Sequence, residues 1–116
     1  MSEIKRFDVG QRMSEMAVHN GVAYLAGQVA SDASLDAQGQ TANVLAQIDA
    51  LLARAGTDKS RLLRVQIFIA DLAEFPAMNE VWEAWLPAGA APPRATVQAA
   101  LARPEWKVEL VVTAAL

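Results

Sequence analysis

The fold is decided by two stretches of the sequence, LLRVQIFIADLAEFPAMNEVWEAW at residues 62–85 and RATVQAAL at residues 94–101. Residues 62–70 are rich in β-branched and aromatic side chains, which is typical of a strand. Asp71 follows, with Glu74 three residues later, and this spacing predicts a capping box at the start of a helix. Because residues 94–101 predict another strand, the unit favours a right-handed crossover between parallel strands.

The helix of this unit carries one apolar stripe, formed by Phe75, Met78, Trp82 and Trp85. Their spacing of three or four residues places them on one face, which predicts packing against the sheet. We therefore assign both tryptophans to the core rather than to a stacking platform. Asn79 lies on the same helix and could orient a ligand, although an exposed helix asparagine is the simpler interpretation.

Upstream of this unit the sequence predicts a hairpin. Asn20-Gly21 separates two strands at residues 15–19 and 21–29, and this dipeptide between extended runs is a strong hairpin signal. Gly27 interrupts the second strand, which indicates a bulge or a close approach of the backbone to another group. His19, beside the turn, is expected to be an exposed turn residue.

The remaining elements complete one α+β domain. A helix is predicted at residues 36–55 and ends at Gly56, a common C-terminal capping residue. A last strand at residues 106–114, and a compatible short strand at 5–9, complete the order β-β-α-β-α-β-β. We expect a single domain over residues 1–116, with one mixed sheet and two helices on one face. The strands are too apolar for the other face to meet solvent, which predicts an oligomer.

The composition narrows the classes of function. The chain has 116 residues and a net charge of −3, with no basic cluster, which argues against nucleic acid as a partner. It has no cysteine and one histidine, so disulfides are excluded and a transition-metal site is not expected. No apolar run is long enough to span a membrane, and the N-terminus shows no signal peptide. We expect a soluble cytoplasmic protein.

Arg94 and Glu109 are charges within segments that otherwise predict buried strand, where an unpaired charge is unfavourable. Pro92 and Pro93 stiffen the approach to Arg94, and a guanidinium with a fork of donors suits a ligand carboxylate. Two other interpretations stay open from residue chemistry alone. Arg94 could form a structural ion pair at a strand end, and Glu109 could be a solvated strand charge.

The alternation of each strand assigns these charges to defined faces. Arg94 and Thr96 share one face of their strand, and Glu109 shares a face of its strand with Val111. In a simple hairpin the two charges would be offset by about four residues, roughly 13 Å along the strand. Their convergence on one site therefore requires a different strand order or a neighbouring subunit.

At these residues the chain resembles the RidA/YjgF reactive intermediate deaminase superfamily, over nearly its whole length. The resemblance rests on Gly27-Gln28, residues 40–45 (QTANVL), residues 70–72 (ADL), Phe75, Asn79, Pro93-Arg94 and residues 107–110 (KVEL). Residues 77–82 (AMNEVW) and 96–99 (TVQA) look closest to the YoaB-like branch of that superfamily.

The resemblance implies a chorismate-mutase-like α+β fold and a homotrimer with ligand clefts between subunits. It implies hydrolysis, without a cofactor, of reactive enamines and imines such as 2-aminoacrylate to a 2-keto acid and ammonia. Carried over, Arg94 would bind the substrate carboxylate and Glu109 would position the attacking water or shuttle its proton. Asn79 and Thr96 would line the cleft, with the Gly27 backbone close by.

Two residues depart from the family pattern. Met13 stands where the best-matched deaminases carry a tyrosine, and Ala26 stands where they carry a serine. Both changes remove a hydrogen-bonding group from the expected cleft. We therefore predict a preference for substrates with larger or more apolar side chains.

Three functions other than deamination are compatible with parts of the sequence. A non-catalytic module could sense a 2-keto acid or similar metabolite with the same arginine. A ribonuclease or translation inhibitor, activities attached to some relatives, fits poorly with the acidic pI near 5.0. Chorismate mutase activity follows by fold analogy only.

Overall fold

The computed structural model describes residues 3–116 of the chain. Within this range the elements are β1 (Lys5–Phe7), β2 (Met16–His19), β3 (Val22–Leu25), α1 (Ala37–Arg54), β4 (Leu62–Ile69), α2 (Phe75–Trp85), β5 (Arg94–Gln98) and β6 (Val108–Ala115). Short 3-10 turns precede β4 and α2, at Lys59–Arg61 and Leu72–Glu74. Neither described helix is long and apolar enough to cross a membrane.

The strands form one sheet in the order β1-β2-β3-β6-β4-β5. The β4–α2–β5 unit supplies the parallel pair, as the sequence predicts, and the other neighbouring pairs are antiparallel. β6 lies between β3 and β4, so β5 and β6 are not neighbours. The strand order therefore excludes the simple hairpin between the last two strands.

Both helices pack on one face of the sheet, which confirms the predicted mixed α+β architecture. In β6, Val108 and Leu110 are fully buried towards the helices, while Glu109 and Val111 are partly exposed on the other side. We call this second side the open face. Its apolar side chains include Tyr24, Phe68, Val97 and Val111, of which Tyr24 is 48% exposed and Val97 is 45% exposed.

Two predicted chain reversals are confirmed. Asn20 and Gly21 both have positive φ, of 50° and 76°, which is the backbone of a tight hairpin turn. Gly56 follows the end of α1, and its N–H donates to the Ala53 carbonyl while the Thr57 N–H donates to the Leu52 carbonyl. These are the two bonds that close a helix at a glycine.

Three predicted strands end too late, by two residues in β1, four in β3 and three in β5. β3 ends at Leu25 rather than at residue 29: the Ala26 N–H still donates to the Glu15 carbonyl, but beyond it Gln28 forms only an isolated bridge with Leu110. β5 ends at Gln98 rather than at residue 101. Its partner β4 ends at Ile69, whose carbonyl accepts the last bond, from the Ala99 N–H.

The predicted capping box at Asp71 is wrong. The Asp71 carboxylate accepts from the Ala73 N–H and caps the 3-10 turn Leu72–Glu74. α2 begins only at Phe75, with Pro76 in its first turn, where the missing N–H of a proline is tolerated. The extra turn moves the start of α2 away from the end of β4.

Candidate active site

Arg94 is the first residue of β5 and is fixed by groups on α2. The Pro93 carbonyl before it accepts from the Val65 N–H at 3.1 Å, which pins the backbone to β4. The Arg94 Nη2 donates to the Asn79 Oδ1 at 2.7 Å. Asn79 is half-buried, so the interpretation of an exposed helix asparagine is wrong, and the residue orients the guanidinium.

Two aromatic rings of α2 lie beside the same guanidinium. The Arg94 Cζ is 5.5 Å from the centroid of the Phe75 ring and 5.4 Å from that of the Trp82 ring. Both distances are within the range of a cation–π interaction, which strengthens when water is excluded. Trp82 is 4% exposed and also belongs to the core, as the apolar stripe predicts.

Two buried atoms beside these groups have no hydrogen-bond partner among residues 3–116: Arg94 Nη1 and Thr96 Oγ1. The ion pairs within this range join Arg54 to Asp8, Arg103 to Glu105 and Lys107 to Glu74, so none of them contains Arg94. This excludes a structural ion pair for Arg94 within the described chain. Leaving a buried charged donor unpaired is unfavourable, and residues 3–116 do not supply the acceptor that Nη1 lacks.

Glu109 lies on the open face, next to Phe68 across the β4–β6 ladder. A Cβ atom on Gly27 would overlap the Glu109 carboxylate, so only glycine permits this contact. The predicted close approach at Gly27 is therefore confirmed, and its partner is Glu109. Ala26, the preceding residue, is half-buried beside this contact.

The Glu109 carboxylate borders a cavity of about 230 Å³ on the open face. The other lining residues, Phe68, Ala99, Ala100, Leu101 and Ala102, have apolar side chains, although polar and apolar atoms line the cavity in similar measure. A carboxylate in an apolar wall can hold one water molecule in a defined place, which is the arrangement that general-base chemistry needs.

The structure brings the site residues together in two groups rather than one. Arg94 pairs with Val65, a fully buried residue, and so faces the helices. Glu109 pairs with Phe68 and faces the opposite side of the sheet. One chain therefore unites Arg94 with Asn79 and Thr96, and separately unites Glu109 with Gly27.

Met13 and His19 are not among the residues that line the cavity beside Glu109. Met13 is 51% exposed in the loop between β1 and β2, where its carbonyl accepts from the Gly10 N–H. The expectation of an exposed His19 is wrong, because this residue ends β2, is half-buried and bonds through Nδ1 to the Glu3 carbonyl. Residues 3–116 contain no group of three or more His, Cys, Asp or Glu side chains placed to hold a metal ion.

Sequence reasoning missed two glutamines that hold the site's loops. Gln40 is fully buried, and its Oε1 accepts from the Lys107 N–H, two residues before Glu109. Its Nε2 donates to carbonyls of both flanking loops, those of Ala33, Leu35 and Glu105. Gln28 Nε2 donates to the Ala26 carbonyl and to Glu15, which fixes the turn at Gly27.

Comparison with known proteins identifies the family of the chain. The family model described as Endoribonuclease L-PSP matches residues 3–116. A RutC family protein of Haemophilus ducreyi is 50% identical over 113 residues, which cover 97% of each chain. The RutC family protein YoaB of Escherichia coli K12 is 48% identical over 113 residues, 97% of this chain and 98% of that one. The crystal structure of an uncharacterized Pseudomonas aeruginosa protein has a TM-score of 0.96 and 44% identity, covering 97% of this chain and 98% of that chain.

The chain belongs to the RidA/YjgF superfamily, the class that the fold and the family model define. Its similarity to YoaB places it in the YoaB-like branch, as the residues of the resemblance predict. A more distant relative, Reactive Intermediate Deaminase A of the Arabidopsis thaliana chloroplast, is 32% identical over 97 residues. That match covers 84% of this chain and 51% of the relative.

Proposed function

We propose that this protein hydrolyses reactive enamines and imines that carry a carboxylate, giving a 2-keto acid and ammonia without a cofactor. The observation that carries the proposal is the pair of buried, unpartnered atoms, Arg94 Nη1 and Thr96 Oγ1. A carboxylate of the substrate would supply the acceptor that Nη1 lacks. The name of the Arabidopsis relative, a reactive intermediate deaminase, supports the same activity.

Binding of the carboxylate uses groups that are already in place. Asn79 and the rings of Phe75 and Trp82 restrict the Arg94 guanidinium, so little conformational freedom is lost when the substrate binds. A hydrogen bond to a charged group contributes about 1.5–3 kcal/mol. Arg94 thus anchors the substrate and leaves the chemistry to other groups.

The chemistry is assigned to Glu109. An enamine first becomes its imine tautomer, and water then adds to the carbon of the C=N bond. Glu109 takes a proton from this water and returns it to the nitrogen, which gives a carbinolamine. A second proton then passes from the carbinolamine hydroxyl to the amino group, again through Glu109, so that the C=O bond forms as the C–N bond breaks and ammonia leaves. Imine hydrolysis is intrinsically easy, so orientation and proton transfer supply most of what is needed.

A complete site requires two subunits under this proposal. Arg94 and Glu109 lie on opposite faces of the sheet, so Arg94 of one subunit would meet Glu109 of the next. A cyclic trimer satisfies this demand with three equivalent clefts and covers the apolar open face. We place the trimer in the cytoplasm, with which the lack of cysteine is compatible.

A second candidate is a binding module that senses a 2-keto acid without turnover. The observation that favours it is that one chain holds both unpartnered atoms, Arg94 Nη1 and Thr96 Oγ1, whereas Glu109 lies on the other face. Sensing needs only Arg94, whereas catalysis needs both Arg94 and Glu109. Measuring binding and turnover separately therefore distinguishes the two functions.

The test is a deaminase assay in which an amino-acid oxidase generates the imine in the cuvette. We expect Arg94→Ala to lower kcat/KM by about 10- to 150-fold, the equivalent of about 1.5–3 kcal/mol. Arg94→Lys should not restore the full rate, because lysine lacks the planar fork of donors. Arg61→Ala is the matched control, since this exposed arginine bonds the Leu116 carbonyl. Unchanged hydrolysis by folded Arg94→Ala would contradict the proposal.

A further inference from the structure

The cavity beside Glu109 is the feature that the proposed function leaves unused. Its walls are five apolar residues and Glu109, and its volume is about 230 Å³. We propose that this cavity binds the side chain of the substrate, so that the preferred imines carry apolar side chains of about the size of leucine's. The inference rests on the proposed function and specifies its substrate class.

The position of the cavity follows from that of Glu109. A group that positions the attacking water must lie close to the reacting carbon. The substrate's side chain is bonded directly to that carbon, while its carboxylate is held at Arg94. The side chain therefore occupies space next to Glu109, and the available space there is lined by Phe68 and Leu101.

The volume of the cavity indicates the size of the group that it suits. Pockets for drug-sized ligands measure about 300–1,000 Å³, so about 230 Å³ suits a fragment of a few heavy atoms. A methyl group would leave much of the apolar wall in contact with water. Each further buried methylene is expected to raise the specificity constant about fourfold, the equivalent of about 0.8 kcal/mol.

The charges that one chain places around the cavity disfavour an acidic side chain. Two cations lie on the loop that forms its wall, and both are held by other carboxylates: Arg103 by Glu105 at 2.7 Å, and Lys107 by Glu74 at 3.6 Å. Hydrogen bonds from its own backbone and from Arg103 lower the pKa of Glu105, so this pair remains charged at neutral pH. A second carboxylate on the substrate would face Glu109 without a partner cation.

The experiment compares specificity constants for imines made from alanine, leucine, methionine and glutamate. Wild type should prefer the leucine and methionine imines to the alanine imine by about tenfold or more, and should process the glutamate imine worst. Ala99→Leu fills the cavity and should lower the leucine value about tenfold while changing the alanine value less than about threefold. Leu101→Ala enlarges the cavity and should improve bulkier imines, and Ala84→Leu on the exposed face of α2 is the control.

The possible results separate this inference from the proposed function. Equal specificity constants for the four imines, or equal effects of Ala99→Leu on every imine, would show that the cavity does not bind the substrate's side chain. The deaminase proposal would still stand. If no imine is hydrolysed, calorimetry with 2-keto acids still tests the cavity. Tighter binding of the isobutyl 2-keto acid than of pyruvate would support it, and equal binding would refute it. Absence of any 2-keto acid binding would overturn both proposals.

Discussion

Glu109 and Gly27 form one unit, because the carboxylate lies against a backbone that carries no Cβ atom. The sequence predicts a close approach at Gly27, since a glycine within a strand pattern leaves room for one. It could not identify the partner, because the contact depends on the bridge between Gln28 and Leu110, which brings distant parts of the chain together. Gln40 was missed for a related reason: its partners are loop backbones whose positions a helical pattern does not specify.

Replacing Glu109 by Gln tests its role at the scale of one residue. Glutamine keeps the size and polarity of the side chain but removes the base, so we expect kcat to fall by about 10²–10⁴-fold. Affinity for a 2-keto acid should stay near normal, because under the proposed function the carboxylate binds at Arg94 rather than at Glu109. Stopped assays and calorimetry measure the two quantities, with exposed Glu83→Gln as the control. Loss of both together, or of neither, would show that the assigned role is wrong.

The helix α2 gathers the groups around Arg94 because Phe75, Asn79 and Trp82 are spaced by four and three residues. Such spacing places them on one helical face. The sequence indicates this shared face. It does not indicate that the face contacts Arg94, because that contact depends on how α2 lies over β5. The end of β5 is harder to predict, because Ala99 and Ala100 continue its apolar composition. The strand nevertheless stops at Gln98, since its partner β4 has already ended.

Substitution of Trp82 tests whether this helix face supports the arginine. Trp82→Leu removes a cation–π partner, and we expect 2-keto acid binding to weaken by about 2- to 30-fold, from about 0.5–2 kcal/mol. Trp82→Phe keeps an aromatic ring and should retain most of the affinity. Both variants lose buried area, so thermal melts of each separate a loss of stability from a loss of binding. Equal affinities for the two variants would argue against an aromatic contribution.

The open face governs the behaviour of the whole molecule. The sequence predicts its apolar character and hence an oligomer, but the number of subunits comes only from the family resemblance. Three chains of 12.4 kDa give a particle of about 37 kDa, which sedimentation or mass photometry would detect.

A charge on this face tests the assembly directly. Val111→Asp should yield a 12.4 kDa monomer without deaminase activity, because it places an unpaired carboxylate where subunits are expected to meet. Ala84→Asp, on the exposed face of α2, should leave the oligomer intact. A wild-type protein that stays monomeric at micromolar concentration would contradict both the trimer and the shared site.

The placement of Arg94 and Glu109 on opposite faces of the sheet has a genetic consequence. Two impaired alleles, Arg94→Ala and Glu109→Gln, should complement each other when expressed in one cell. With random assortment of equal amounts, about a quarter of the interfaces would join an intact arginine to an intact glutamate. Mixing the purified variants after dissociation should restore activity to the same extent, whereas residues that act within one chain would give no recovery.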